Sequence, residues 1–237
     1  MLVIAHRGAS GRAPENTAAS FRLALEMGAK ALEFDVHQTL DHELVVGHDD
    51  DLKRCGGDKR LMKALHWVGE AEKIDVGSWF DKRFAAERLP RLDDVYDLAP
   101  APVELHLEIK HGSSVYPGIE ERVVDLIHRR GGRARTLVSS FDHEALYSVR
   151  SLDETARLGY LLGLTTLKAA FKEMKELSAE SLNLSVRQAT ARAVTSAHER
   201  GFKVLVYTVN TPTERDRLAA LGVDGIFSNY PELDLWR

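Results

Sequence analysis

Residues 211–228 read TPTERDRLAALGVDGIFS. Thr211 can cap a helix, Pro212 takes the first helical position, Glu214 completes a capping box, and Gly222 ends the helix. A β-rich run at 225–228 follows at once. Helix, glycine, strand is the repeating unit of a parallel α/β fold. Working outward, the same punctuation recurs twice: Thr17 can cap AASFRLALEM before Gly28, and Thr190 can cap ARAVTSAHER before Gly201. Eight β-rich runs alternate with such stretches, at 2–6, 31–36, 103–109, 136–140, 157–161, 181–184, 203–208 and 225–228. Eight alternations with short connections predict an α/β fold of the (β/α)8 TIM barrel type. An open doubly wound sheet is the competitor, but no G-x-G-x-x-G opens a helix after a strand.

The 237 residues suit one such barrel, and 44% apolar residues supply a sizeable core. A net charge of -4 with no basic block predicts no nucleic-acid partner, although a few placed cations could still bind a small anion. Cys55 is the only cysteine, so no intrachain disulfide can form. No signal peptide is visible, and no run approaches the roughly 20 apolar residues of a membrane span. These features predict a soluble cytoplasmic protein without stable membrane insertion; nothing bears on oligomeric state.

One passage breaks the alternation. LEFDVHQTLDHELVVGHD reads as strand, polar turn, strand, and a turn centred on Asp41-His42 would set Asp35 opposite His48. Residues 49–91 then carry the least regular text, too long for an ordinary βα loop. The expectation is one domain, 1–237, with a small insertion at about 49–91 after the hairpin that follows strand 2.

Barrel strands are buried on both faces, so polar residues in them carry information. In LEFDVH, Glu33, Asp35 and His37 alternate with apolar residues; in ELHLEIK, Glu104, His106, Glu108 and Lys110 do the same. The apolar faces should pack on helices, which turns the polar faces into the barrel. Glu33, Asp35 and Glu108 could surround one hard cation, Mg²⁺ or Ca²⁺. An interior ion network with Arg7 and Lys110 is the competing explanation. His6 and His48 both end β-runs, where a barrel carries its chemistry, and could form a general acid/base pair. Arg7 and Lys110 add positive charge at the same mouth, as a phosphate ester would require.

The segments AHRGASGRAPENT, LEFDVHQTLDHELVVGHDDDLKR, DVGSWFDKRF, LHLEIK, LVSSF and VLVYTVNTPTERDRLAALGVDGIFSNYPE occur in the order seen in glycerophosphodiester phosphodiesterases. The chain resembles that family along nearly its whole length. The resemblance implies a metal-dependent phosphodiesterase acting on a small-molecule phosphodiester such as glycerophosphocholine or glycerophosphoethanolamine. It implies His6 and His48 as acid/base residues, Glu33, Asp35 and Glu108 as ligands of one divalent cation, and Arg7 and Lys110 as phosphate contacts. Glu15, Asn16, Phe141 and Tyr207 are expected as supporting or pocket residues. Tyr207 stands where the family often has tryptophan, and Ser228-Asn229-Tyr230-Pro231 where it commonly has T-D-x-P; both changes are expected on pocket walls. A lysophospholipase D-type activity is the alternative. It would need an apolar rim, for which Trp79, Phe80 and Phe84 are candidates, although packing of the insertion is the plainer role for them.

Overall fold

The computed structural model describes residues 1–232. In chain order its strands are β1 (Leu2–His6), β2 (Ala31–Gln38), β3 (Leu44–Val46), β4 (Asp51–Leu52), β5 (Asp58–Leu61), β6 (Glu104–Ile109), β7 (Thr136–Ser140), β8 (Arg157–Leu161), β9 (Ser181–Ser185), β10 (Lys203–Tyr207) and β11 (Gly225–Ser228). The α-helices are α1 (Ala18–Glu26), α2 (Lys53–Gly56), α3 (Leu92–Leu98), α4 (Ile119–Arg129), α5 (His143–Leu152), α6 (Leu167–Glu176), α7 (Ala191–His198) and α8 (Pro212–Ala220). All eight expected runs are strands, with ends within two residues of those predicted. They pair in parallel in the order β1-β2-β6-β7-β8-β9-β10-β11, and β11 returns to β1. This closed ring with helices between its strands is a (β/α)8 barrel. No helix among the described residues is long and apolar enough to cross a membrane.

The period-two pattern sorts as expected. Leu32, Phe34 and Val36 of β2 and Leu105, Leu107 and Ile109 of β6 join the large buried layer between strands and helices. Ile4, Ala31, Leu205 and Phe227 form a separate small apolar cluster within the ring. The helix signals hold as well. Thr17, Thr190 and Thr211 each accept a backbone N–H from three residues on, while Gly28, Gly201 and Gly222 take positive φ after the helices. The box at Thr211 is only half formed, because Glu214 accepts from the Thr211 hydroxyl at 3.0 Å.

The hairpin departs from the expected register by one residue. β2 and β3 pair His37 with Val45 and Gln38 with Leu44, so Asp35 faces Gly47, whose N–H reaches the Asp35 carbonyl at 3.0 Å. The cause is a loop of odd length. Thr39 and Glu43 close around Leu40-Asp41-His42, and His42 adopts φ 68, the left-handed position that completes a three-residue hairpin turn. His48 therefore lies just beyond the paired strand, carried by the chain entering the insertion.

The insertion has a core of its own. Leu52, Met62, Leu65, Ala71, Val76 and Leu89 pack with Val45 of the hairpin. Trp79, Phe80 and Phe84 stay outside that core and contact one another edge to face, with successive centroids 5.8 Å apart. Trp79 remains 40% exposed, while Phe80 and Phe84 are half-buried.

Candidate active site

Strand register assembles the acidic cluster. β1 and β2 set His6 beside Glu33, and β2 and β6 set Asp35 beside Glu108. Parallel neighbours lie about 4.8 Å apart, and Glu33 and Asp35 are two residues apart on one face. Oxygens of Glu33, Asp35 and Glu108 accordingly lie within 4.8 Å of one another, all three groups buried.

The charges around them are unequally shared. Arg7 Nε lies 3.2 Å from Asp35, and Lys110 Nζ lies 3.4 Å from Asp35 and 2.9 Å from Glu108. Asn16 Nδ2 also donates to Asp35 at 2.9 Å. Burial opposes the Asp35 charge, but Arg7 and then Lys110 outweigh it and hold its carboxyl at about 2. Among the described residues, Glu33 has a single close donor, the Arg7 backbone N–H at 2.9 Å. Burial first and the Asp35 charge second drive Glu33 well above its usual range and push Glu108 up to about 7. The interior ion network exists, but it leaves two carboxylates undercompensated. Three buried, convergent, oxygen-only groups whose charges repel one another fit a hard divalent cation.

Both histidines expose the same nitrogen. His6 Nδ1–H donates to Asn229 Oδ1 at 2.7 Å, leaving Nε2 on the side of Glu33, 4.0 Å away. His48 Nδ1–H donates to Asp49 Oδ1 at 2.6 Å, which also leaves its Nε2 available. Burial, then Arg7, lowers His6 to about 4, so its ring is neutral at pH 7. Asn229 corrects the expectation for the S-N-Y-P segment. That change lies on a histidine of the site, because β11 ends beside β1 and carries Asn229 to the His6 ring.

His6 and Arg7 are adjacent, yet both reach the site, because β1 ends at His6 and Arg7 turns with φ 56. Gly8 follows at φ 78, and a Cβ there would lie 2.5 Å from Ser20 Oγ. Glycine is the residue that permits this turn against α1. Arg7 NH1 then donates to Glu15 at 3.0 Å. Glu15 and Asn16 thus contact Arg7 and Asp35.

His6, Arg7, Glu33, His48, Glu108 and Lys110 line one open cavity of about 150 Å³. Phe141 and Tyr207 form part of its wall, their rings perpendicular at 6.2 Å. Ser139, Leu161, Asn183, Thr208 and Phe227 complete the lining and were absent from the sequence-based set. Ser139 and Asn183 could have been found by the rule that singled out Glu33: they are polar residues within apolar strands. Asn229 follows a strand end, as Arg7 does, and carried the same signal. Asp49 and Arg54 bear on His48 only through the folded insertion, and spacing alone does not reveal them.

A sequence profile of the glycerophosphoryl diester phosphodiesterase family matches residues 6–233. The glycerophosphodiester phosphodiesterase of Caldanaerobacter subterraneus subsp. tengcongensis is 34% identical over 232 residues, covering 98% of this chain and 95% of that protein. A glycerophosphodiester phosphodiesterase of Bacillus subtilis is 30% identical over 253 residues, covering 98% and 85%. Among solved structures, a phosphodiesterase from Oleispira antarctica in complex with the product sn-glycerol-3-phosphate has a TM-score of 0.92 at 30% identity, covering 98% of this chain and 94% of that one. The chain belongs to the glycerophosphoryl diester phosphodiesterase family of phosphoric diester hydrolases.

Proposed function

We propose that the enzyme hydrolyses glycerophosphodiesters to sn-glycerol 3-phosphate and an alcohol, with His6 as general base and His48 as general acid. The observation that carries this reading is the convergence of two imidazoles, each with Nε2 available, on a cavity that also holds an acidic cluster and two cations. The product in the Oleispira antarctica complex supports the substrate class. Glu33, Asp35 and Glu108 would hold one divalent cation, Mg²⁺ or Ca²⁺. When bound, it would act as a Lewis acid on the phosphoryl oxygens.

The two rings differ in their partners. His6 is buried, faces a neutral amide and sits beside Arg7, so its ring is neutral at pH 7, the form a base must start in. His48 Nδ1–H is held by the Asp49 carboxylate, which leaves Nε2 to serve the departing alkoxide. His6 takes the proton of the attacking oxygen, on water or on the glycerol 2-hydroxyl, as the new O–P bond forms. The P–O bond to the alcohol breaks, and His48 returns a proton to the departing alkoxide. Attack by the 2-hydroxyl gives a cyclic phosphate, which water then opens with the histidine roles reversed. Arg7 and Lys110 hold the phosphoryl oxygens and offset charge gathering there.

The experiment is turnover of glycerophosphocholine by purified protein, followed by sn-glycerol 3-phosphate release. It is run with EDTA, after restoring Mg²⁺ or Ca²⁺, and with lysophosphatidylcholine in parallel. Turnover of glycerophosphocholine that EDTA abolishes and a divalent ion restores is the expected result. Metal-independent turnover overturns the carboxylate assignment. Preference for lysophosphatidylcholine overturns the substrate class in favour of the lysophospholipase D-type alternative.

A further inference from the structure

His48 is not held by the barrel ladder, since β3 ends at Val46. Its carbonyl meets His37 Nε2 at 3.3 Å, while the other nitrogen of His37 is bonded to the Tyr116 hydroxyl at 2.7 Å. Among the described residues, its imidazole makes one hydrogen bond, to Asp49 Oδ1. Asp49 is itself a half-buried loop residue, and its second oxygen accepts from Arg54 Nε at 2.8 Å. The same guanidinium grips both oxygens of Glu15, NH2 to Oε1 at 2.7 Å and NH1 to Oε2 at 3.0 Å. Glu15 Oε1 also accepts from Arg7 NH1. Arg54 further lies over the Trp79 ring, 5.4 Å from its centroid.

We infer that Arg54, from the insertion, is a positioning residue that fixes His48 through Asp49 and anchors that arrangement to the barrel through Glu15. The inference rests on the histidine roles proposed above. A continuous path runs His48–Asp49–Arg54–Glu15–Arg7, and only a planar fork of donors can span its two carboxylates at once. Lysine, with a single charged nitrogen, cannot make all three bonds in this geometry. Burial opposes the charge on Asp49, but its bonds to Arg54 and His48 hold the carboxyl below its usual range, so it stays an anionic acceptor. The 49–91 segment thus supplies the residue that aims one of the two histidines.

The test uses the full chain with glycerophosphocholine and compares wild type, His48→Ala, Asp49→Asn, Arg54→Ala, Arg54→Lys and the Asp49→Asn/Arg54→Ala double variant. Misplaced supporting groups typically cost about 10–100-fold, and that loss is expected in kcat for Arg54→Ala, with a smaller change in KM. Arg54→Lys should recover only part of it, and added guanidinium ion should partly restore Arg54→Ala. The double variant should be no slower than the slower single variant, because both changes break one path. A wild-type kcat in Arg54→Ala, no response to guanidinium, or losses that multiply in the double variant would each overturn the inference. If Arg54→Ala does not fold, Arg54→Gln is read by the same kcat and double-variant criteria. Near wild-type turnover by His48→Ala would instead remove the histidine roles, so the two failures are distinguishable.

Discussion

Replacing Asn229 by aspartate tests how the site sets the proton affinity of His6. The substitution exchanges a neutral acceptor 2.7 Å from His6 Nδ1 for an anionic one of nearly the same shape. Two unit charges about 4 Å apart, at an effective dielectric constant of about 20, attract by about 4 kcal/mol. That corresponds to roughly 3 pKa units. Arg7 and the buried setting offset some of it, leaving a rise of roughly 2–3 units above the wild-type value of about 4. A general base must be unprotonated in the free enzyme, so kcat/KM falls as pH drops through its pKa. The assay is kcat/KM for glycerophosphocholine from pH 4 to 9 in both proteins. Wild type should hold its activity down to mildly acidic pH, whereas Asn229→Asp should lose activity over a range roughly 2–3 units higher. An acid limb that does not move, or moves to lower pH, refutes the assignment of His6 as base.

Three further outcomes follow from other parts of the structure. With a glycerophosphodiester carrying a nitrophenyl leaving group, which departs without protonation, His48→Ala should regain most of its lost rate while His6→Ala should not; equal recovery would remove the division of labour. Gly8→Ala puts a Cβ 2.5 Å from Ser20 Oγ at φ 78, so denaturant unfolding should report a loss of more than about 1 kcal/mol; unchanged stability would contradict the tight turn that aims Arg7. At the opposite end of the barrel, hydrogen bonds from Arg157, with Lys203 beside it, lower Glu180 to about 2. A depressed carboxyl stabilises above its unfolded pKa and loses that contribution as pH falls through the folded one. Glu180→Gln should therefore cost about 1 kcal/mol near neutrality, after discounting for partial exposure. The difference should vanish near pH 2, and a constant difference would deny the ion-pair origin.

The sequence was most readable where geometry repeats. Helix caps, stop glycines and period-two strands follow from local sterics, and the same alternation aims Glu33, Asp35 and Glu108 inward. Legibility failed where a loop set the geometry. The hairpin slipped because Leu40-Asp41-His42 is an odd-length turn, which hydropathy does not encode. Arg7 reaches the site through a left-handed backbone position that an ideal strand would forbid. Asn229 and His6 are 223 residues apart and meet only because the ring closes β11 against β1. Arg54 required the insertion to fold before its two carboxylate partners could be seen.

The most direct measurement is sn-glycerol 3-phosphate release from glycerophosphocholine by metal-replete wild type, His6→Ala and His48→Ala, with folding verified by thermal melting. Each variant should lose about 10²–10⁴-fold in kcat while keeping a cooperative melt. Near wild-type turnover by either folded variant would contradict the histidine roles.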